Sequence, residues 1–281
     1  MWMPAIGFVN GTFMPLEQAT VSVEDRGYQF GDGVYEVIRT YGGTPFRMEA
    51  HVARLERSAK ALGLPMPYSN REWGELVAEG LKRAEFAESK VYIQLTRGVA
   101  PRDHAFPAGS RPTVVMTIRE LRPLARAIGE AGVEAITLDD IRWGRCDIKS
   151  VNLLANVLAR QRAKEAGAFE AIFVRDGTVT EGSVSNVMIV KAGRVITAPE
   201  GPRILSGVTR SLVLDLARKE GIPVEERTVV LEELRHADEV FLCGTTVEVL
   251  PVVRIDGRDV GTGKPGPVAA RLSERFKQAV T

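Results

Sequence analysis

The sequence predicts a chain of α+β or α/β class divided into two domains, a small one followed by a larger one. Strand-like alternation and helix-like spacing of apolar residues recur in both halves of the chain. Its 281 residues and 30.7 kDa suffice for two cores of ordinary size. Near the middle the pattern is broken by Glu120-Leu121-Arg122-Pro123-Leu124. Proline blocks helix continuation and biases the residue before it toward extended backbone, so this stretch reads as a linker. The expected domains are 1–119, a small α/β unit, and 125–281, with 120–124 between them.

The first domain opens on strands. Ala5 to Val9 runs into Asn10-Gly11, a dipeptide that favours a two-residue hairpin, and a return run follows. Val34 to Tyr41 is a further strand, reached through Glu24-Asp25-Arg26-Gly27-Tyr28-Gln29-Phe30-Gly31-Asp32-Gly33, whose glycines permit tight turns. Tyr35 and Val37, two apart on a strand, point to one side, which lines either a pocket or the core. Across residues 49–62, Val52, Leu55, Ala59 and Leu62 fall at helical spacing while Arg54, Arg57 and Lys60 face elsewhere as a basic edge. Ser69 and Glu72 form a capping-box pattern that opens a second helix, with Trp73, Val77, Leu81 and Ala84 on its buried face. Lys90 to Thr96 alternates as a half-buried strand. It leads to a loop, Arg97 to Pro107, that gathers Arg97, Pro101, Arg102, His104 and Pro107. Such a loop is either a carboxylate clamp or an ordinary charged surface. Thr113 to Ile118 closes the domain as a strand.

The second domain begins with the alternating run Val133 to Leu138. Asp147-Ile148-Lys149-Ser150 is read as the end of a short β-like run passing into an amphipathic helix that reaches about Ala166. At that junction Lys149 is either an ordinary solvated charge, as most lysines are, or an amine that can project into a cleft while rigid elements hold its backbone. Glu181 has the same two readings. Strand Ala171 to Val174 and the turn Asp176-Gly177 lead to Thr180-Glu181-Gly182-Ser183, where Glu181 is placed as a buried carboxylate able to face a cationic heterocycle. Val187 to Val190 is a strand before a turn at Gly193. Ile204 to Arg210 opens a helix whose apolar face includes Leu212, Val213 and Leu216. A helix start has unpaired amides and partial positive charge, so Val208 and Thr209 form either a phosphate seat or an ordinary helix start. Strand Glu239 to Leu242 precedes Cys243-Gly244-Thr245-Thr246, and Pro267 to Val280 reads as a helix. No internal repeat occurs.

Composition narrows the function classes. Hydrophobic residues make up 44% and charged residues 26%, the profile of a soluble globular enzyme. A net charge of +1 leaves no electrostatic footprint for nucleic acid or an anionic membrane, so small molecules or further copies of the chain are the expected partners. Cys146 and Cys243 are too few for a disulfide framework and show no zinc-site spacing, which fits reduced thiols in the cytosol and no metal. Cys146 precedes Lys149 by three residues and is assigned no chemistry. Met1-Trp2-Met3-Pro4 has no charged and then apolar leader pattern, and no run of eighteen apolar residues occurs, so a cytoplasmic, non-spanning protein is expected.

The segments around Lys149 and Glu181 resemble those of the fold-type IV pyridoxal-phosphate enzymes. The run from Glu24 to Val37 is similar to the signature of the D-amino acid aminotransferase group among them. The resemblance covers nearly the whole chain. It implies a two-domain fold with pyridoxal 5'-phosphate between the domains and Lys149 bonded to the cofactor aldehyde as a Schiff base. Glu181 is then ionised against the pyridine nitrogen, and Leu205 packs on the ring face. In the pattern His51-Val52-Ala53-Arg54-Leu55, it implies that Arg54 grips the phosphate, as a planar donor fork suits an oxyanion. Val208, Thr209, Gly244 and Thr245 complete the phosphate site. Tyr35, Val37, Arg102 and His104 become the substrate contacts, and Tyr35, Arg102 and His104 hold its carboxylate. Loop 99–107 reaches the neighbouring active site of a homodimer. Two departures from the pattern are Gly244, where a serine is expected, and Val184, where a third hydroxyl is expected.

The implied activity is transfer of the amino group of a D-amino acid, D-alanine foremost, to a 2-oxo acid such as 2-oxoglutarate. Lys149 acts as nucleophile and as proton carrier at the substrate Cα, and Glu181 acts electrostatically. Branched-chain L-amino acid aminotransferases invert the pocket on the same fold, so fold alone does not fix chirality. An aminodeoxychorismate lyase uses the same lysine without consuming an oxo acid. A non-catalytic cofactor-binding protein is the third reading, opposed by the joint presence of Lys149, Glu181, Arg54 and the clamp residues.

Overall fold

The computed structural model describes residues 5–280. The leader expectation drawn from Met1-Trp2-Met3-Pro4 lies outside them. Two compact units are present: Met1–Arg122 with Ile148–Asn152, and Pro123–Asp147 with Leu153–Thr281.

The first unit is built on β1 (Ile6–Val9), β2 (Thr12–Pro15), β3 (Gly33–Tyr41), β4 (Thr44–Pro45), β5 (Ser89–Thr96) and β6 (Thr113–Glu120), in the order β2-β1-β6-β5-β3-β4. Its helices are α1 (Arg26–Phe30), α2 (Met48–Ala61) and α3 (Asn70–Ala84). Val9 pairs with Thr12 across Asn10 and Gly11, both at positive φ, as a two-residue hairpin requires. The Ser69 hydroxyl accepts from the Glu72 amide, and the Glu72 carboxylate accepts from the Ser69 amide, closing the capping box. One sheet face carries Phe8, Val34, Ile38, Val91, Ile93, Leu95, Val114, Met116 and Ile118. It shares a buried core with Val52, Leu55 and Ala59 of α2 and Trp73 and Val77 of α3. Strand alternation leaves Tyr35 and Val37 half-buried on the opposite face of β3.

β3 pairs with β5 along one edge. On the other edge, β4 takes Thr40 and Tyr41 while Ser150 pairs with Val34. The Tyr35 amide donates to the Lys149 carbonyl at 2.9 Å and the Val151 amide to the Gly33 carbonyl at 3.1 Å. With Ile148 in the first core, this ladder makes Ile148–Asn152 part of the first unit, whereas the sequence reading carried Lys149 in the second domain. The local expectation also needs correction. Residues 140–148 form no strand before Lys149, and the helix starts only at Leu154.

The second unit holds β7 (Val133–Asp139), β8 (Glu170–Arg175), β9 (Thr178–Gly182), β10 (Asn186–Lys191), β11 (Arg194–Thr197), β12 (Val224–Glu226), β13 (Val229–Val230), β14 (Glu239–Gly244), β15 (Glu248–Ile255) and β16 (Arg258–Asp259). They form a mixed sheet ordered β12-β11-β10-β14-β15-β7-β8-β9-β13, with β16 on β15. Its helices are α4 (Arg126–Ala131), α5 (Leu154–Glu165), α6 (Val208–Lys219), α7 (Leu231–Arg235) and α8 (Pro267–Val280). β7 and β8 run parallel, and α5 lies in the crossover that parallel pairing needs. Ile172, Val187, Ile189, Ile196, Val240, Leu242, Leu250 and Val252 share its main core. α5 buries only Ala159 and Ala163, while Leu154, Val157 and Leu158 are exposed, so the side expected to face the core is the small-residue side.

Candidate active site

Lys149 is held from both sides of its peptide. Its amide donates to the Ser58 hydroxyl on α2 at 3.1 Å, and its carbonyl accepts from Tyr35. The Nζ lies 4.3 Å from the centroid of the Tyr35 ring, which stacks at 5.6 Å on Tyr92. The Lys149 amine is thus half-buried over an aromatic face, on a backbone fixed at two points. Sequence reading found Lys149 and Tyr35 but not Ser58.

On the covered side of β3, the alternation that exposes Tyr35 and Val37 turns Glu36 inward, toward α2. Its carboxylate accepts from Arg54 Nε at 2.7 Å and Nη2 at 2.9 Å, and its Oε2 lies 2.8 Å from His51 Nδ1. All three residues are buried. Burial alone would raise the Glu36 pKa, but the Arg54 charge and hydrogen bonds, aided by His51, hold it down at about 2. Burial depresses His51, against the pull of Glu36. Glu36 therefore fixes the plane of the Arg54 fork, a role that sequence reading missed. The available signal was a carboxylate one position out of phase with Tyr35 and Val37 and facing the helix that carries Arg54.

Arg102 and His104 lie exposed in loop 99–107 and gather around α1. The Arg102 guanidinium sits 4.4 Å over the Phe30 ring, and the His104 ring centroid lies 5.3 Å from that of Phe30.

In the second unit, Glu181 on β9 is buried. Its Oε1 accepts from Arg142 Nη1, and its Oε2 accepts from Asn186 Nδ2 at 3.1 Å and from the Leu205 amide at 3.0 Å. Arg142 in turn donates Nε and Nη2 to the two oxygens of buried Asp140, each at 2.9 Å. Burial works against the Arg142 charge, but Asp140 and Glu181 outweigh it and raise its pKa. Burial likewise opposes the Asp140 charge, which Arg142 nonetheless keeps ionised. The Glu181 carboxylate thus faces a guanidinium on one oxygen and two N–H donors on the other. Arg142, Asp140 and Asn186 were not anticipated. Asn186, five residues after Glu181, also donates to the Leu205 carbonyl at 3.0 Å, so one amide ties Glu181 to Leu205.

The same Asn186 borders the start of α6. A Cβ on the helix cap Gly207 would collide with its Oδ1, and the cap has no side-chain hydrogen bond to the helix. Val208 and Thr209 are the first residues of a twelve-residue helix whose cap, a glycine, supplies no side chain to its leading amides. Asn186 pairs with Cys243 across β10 and β14, which puts Gly244 and Thr245 next along that strand end. A Cβ at Gly244 would meet the Val184 carbonyl and Val247 at 3.4 Å, ordinary contact distances, so packing does not demand glycine there. The exposed Val184 is flanked by Ser183 and Ser185, whose hydroxyls turn inward to the Glu170 carboxylate.

Taken by itself, the first unit carries an amine, Lys149, and a fixed guanidinium, Arg54. The second carries a buried carboxylate, Glu181, and the glycine-preceded start of α6. Both cysteines are buried. Burial pushes Cys146 up to about 11 and Cys243 up to about 12, so both stay protonated near neutrality. Among the described residues no cluster of His, Cys, Asp or Glu could hold a metal ion, and no helix is long and apolar enough to cross a membrane.

Residues 33–255 match the family model described as amino-transferase class IV. The chain is 45% identical over 271 residues to the D-alanine aminotransferase of Bacillus licheniformis, covering 96% of this chain and 95% of the relative. Among solved structures it resembles the branched-chain amino acid aminotransferase of Escherichia coli, with a TM-score of 0.90 and 28% identity over 99% of this chain and 95% of that one. It also resembles the T.th. branched-chain amino acid aminotransferase with pyridoxamine 5'-phosphate. There the TM-score is 0.90 and the identity 31%, over 98% of this chain and 94% of that one.

Proposed function

The chain belongs to the class IV amino-transferase family, and from that membership we propose that it transfers the amino group of a D-amino acid, D-alanine foremost, to a 2-oxo acid with pyridoxal 5'-phosphate as cofactor. The D-amino acid reading is carried by the identity to the D-alanine aminotransferase, which is well above that to the branched-chain enzymes. The acceptor we assign is 2-oxoglutarate.

When bound, pyridoxal phosphate supplies an aldehyde that exchanges amino groups and a ring that takes up the electron pair left at the substrate Cα. Lys149 Nζ would hold the aldehyde and would move the proton at the substrate Cα. The hydrogen bonds of the Lys149 peptide to Ser58 and Tyr35 support this role by fixing where the amine starts. Glu181, hydrogen-bonded by Arg142, would face the ring nitrogen and favour positive charge there. Leu205, whose amide is tied to Glu181, would pack on the ring. The phosphate is held by Arg54, by the amides of Val208 and Thr209, and by Gly244 and Thr245. Tyr35, Arg102 and His104 hold the substrate carboxylate, and Val37 lines the same side of β3 as Tyr35.

We place the enzyme in the cytoplasm as a homodimer in which loop 99–107 of each copy serves the other's site. The exposed Leu154, Val157 and Leu158, spaced along one side of α5, support association with a second copy. The test is a half-reaction screen that follows cofactor absorbance as the holoenzyme meets single D- and L-amino acids. D-alanine or D-glutamate should convert the cofactor much faster than L-leucine or L-valine. Faster conversion by the L-branched substrates would move the enzyme to the branched-chain side of the family, and amine release without any oxo acid would favour the lyase.

A further inference from the structure

We propose that Arg26 is the positioning residue of the carboxylate clamp. Its buried fork fixes the backbone at Asp103 and His104 and so sets where Arg102 and His104 reach. The proposal rests on the reading of Arg102 and His104 as the clamp.

Arg26, only 3% exposed, opens α1. Its Nε donates to Asp32 Oδ2 at 2.8 Å. Nη1 donates to the Asp103 carbonyl, and Nη2 donates to the His104 carbonyl at 3.3 Å. The Arg26 guanidinium lies 4.8 Å from the centroid of the Phe30 ring, the ring that also receives Arg102 and His104. One fork and one ring therefore hold three successive residues of the loop, Arg102, Asp103 and His104.

The need for this device follows from the loop itself. After the isolated bridge between Val99 and Asp25, residues 100–107 belong to no helix or strand, and Arg102 and His104 are exposed. No ladder fixes them. The loop is tied to the α1 region at its start, where the Arg26 amide donates to the Gly98 carbonyl at 2.9 Å and the Ala100 amide to the Glu24 carbonyl at 3.3 Å. It is tied again further on, where Arg97 lies 3.5 Å from the Phe106 ring centroid while bonded to Asp32 through Nε at 2.8 Å and Nη2 at 3.1 Å. Between these ties, the two carbonyls taken by Arg26 are the interior anchor. Only a planar fork spans a carboxylate and two carbonyls at once, so lysine can replace the charge of Arg26 but not its geometry. Asp32 keeps Arg97 when Arg26 is removed, which limits the structural damage.

The experiment measures steady-state kinetics of the holoenzyme with D-alanine and 2-oxoglutarate for Arg26→Ala, Arg26→Lys and Phe30→Leu, each alone and combined with Arg102→Ala. Arg26→Ala should raise the KM for D-alanine about tenfold to a hundredfold with a smaller change in kcat, because a displaced clamp loses binding of the carboxylate. Arg26→Lys should keep the thermal stability without restoring KM. Phe30→Leu should raise KM less. In the Arg102→Ala background the added effect of each should shrink to a few-fold, about threefold to fivefold, since His104 is then the one loop side chain left to position. Equal fold losses in both backgrounds, or a normal KM in Arg26→Ala beside an impaired Arg102→Ala, would overturn the positioning role and leave the clamp standing. An unaltered KM in Arg102→Ala would overturn the clamp reading instead, and no turnover of D-alanine by the unmodified enzyme would overturn the proposed function. If Arg26→Ala does not fold, Arg26→Lys and Phe30→Leu decide the question by the same comparison.

Discussion

Replacing Glu36 with glutamine keeps its shape and removes its charge, taking from the buried Arg54 guanidinium the carboxylate that accepts from its Nε and Nη2. Glu36 is 1% exposed and Arg54 is 4% exposed, so solvent cannot replace the lost partner. Breaking a buried pair by removing one member costs about 3 to 5 kcal/mol. The amide carbonyl of glutamine still accepts one hydrogen bond, which recovers about 1 kcal/mol and leaves an expected loss of about 2 to 4 kcal/mol. Acid titration gives an independent route to the same quantity. The folded pKa of Glu36 is depressed from 4.5 to about 2, so its contribution is fully present above 4.5 and disappears as pH falls toward 2. That gap corresponds to about 3 kcal/mol. His51 is depressed as well, so its share is present above its ordinary value of 6.5 and is lost as pH falls below that. Urea unfolding at neutral pH and at steps down to pH 3 should therefore show Glu36→Gln less stable at neutrality, with a flatter acid limb below pH 4.5 than the parent. A difference under about 0.5 kcal/mol at neutral pH, or parallel acid limbs, would refute the coupling between Glu36 and Arg54.

Lys149→Ala should abolish transamination without unfolding the chain, and borohydride should no longer fix the cofactor covalently; persistence of that linkage would place the reactive amine elsewhere. Glu181→Gln should lower kcat about a hundredfold, or about 3 kcal/mol of barrier, while altering KM little, since a preorganised charge matters most when charge develops; near-normal turnover contradicts its electrostatic role. Gly244→Ser should fold normally, because a Cβ there makes only 3.4 Å contacts, and equilibrium titration should show tighter cofactor binding. Unchanged or weaker affinity would mean that this strand end does not face the phosphate.

The sequence made local signals legible and left long-range pairings hidden. The capping box at Ser69 and Glu72, the Asn10-Gly11 hairpin and the apolar spacing of α2 are short-range rules, and each element stands where its rule put it. Arg142 gave no such signal: Asp140 is only two residues away, but Glu181 and the Arg203 carbonyl meet it from distant parts of the chain. The short strands β12, β13 and β16 went unread because two or three residues cannot express a period. For α5 the sequence indicated an amphipathic helix but not its inward side: the core takes alanines, and spacing cannot tell a side that packs within the chain from one left outside.

The pairing of Ile148–Asn152 with β3 also constrains how the polypeptide can be cut and in what order it can assemble. The chain passes between the units at Arg122–Pro123, Asp147–Ile148 and Asn152–Leu153, so severing the linker at Pro123 does not liberate a finished first unit. A fragment ending there lacks the residues that cover Gly33, Val34 and Tyr35, and it presents a bare strand edge of the kind that recruits other chains. During folding, Lys149 reaches its place only after more than a hundred intervening residues have been looped out, a late and slow kind of closure. Lys149 therefore takes its place through a non-local contact, and structure formed locally within residues 5–122 does not by itself position its amine.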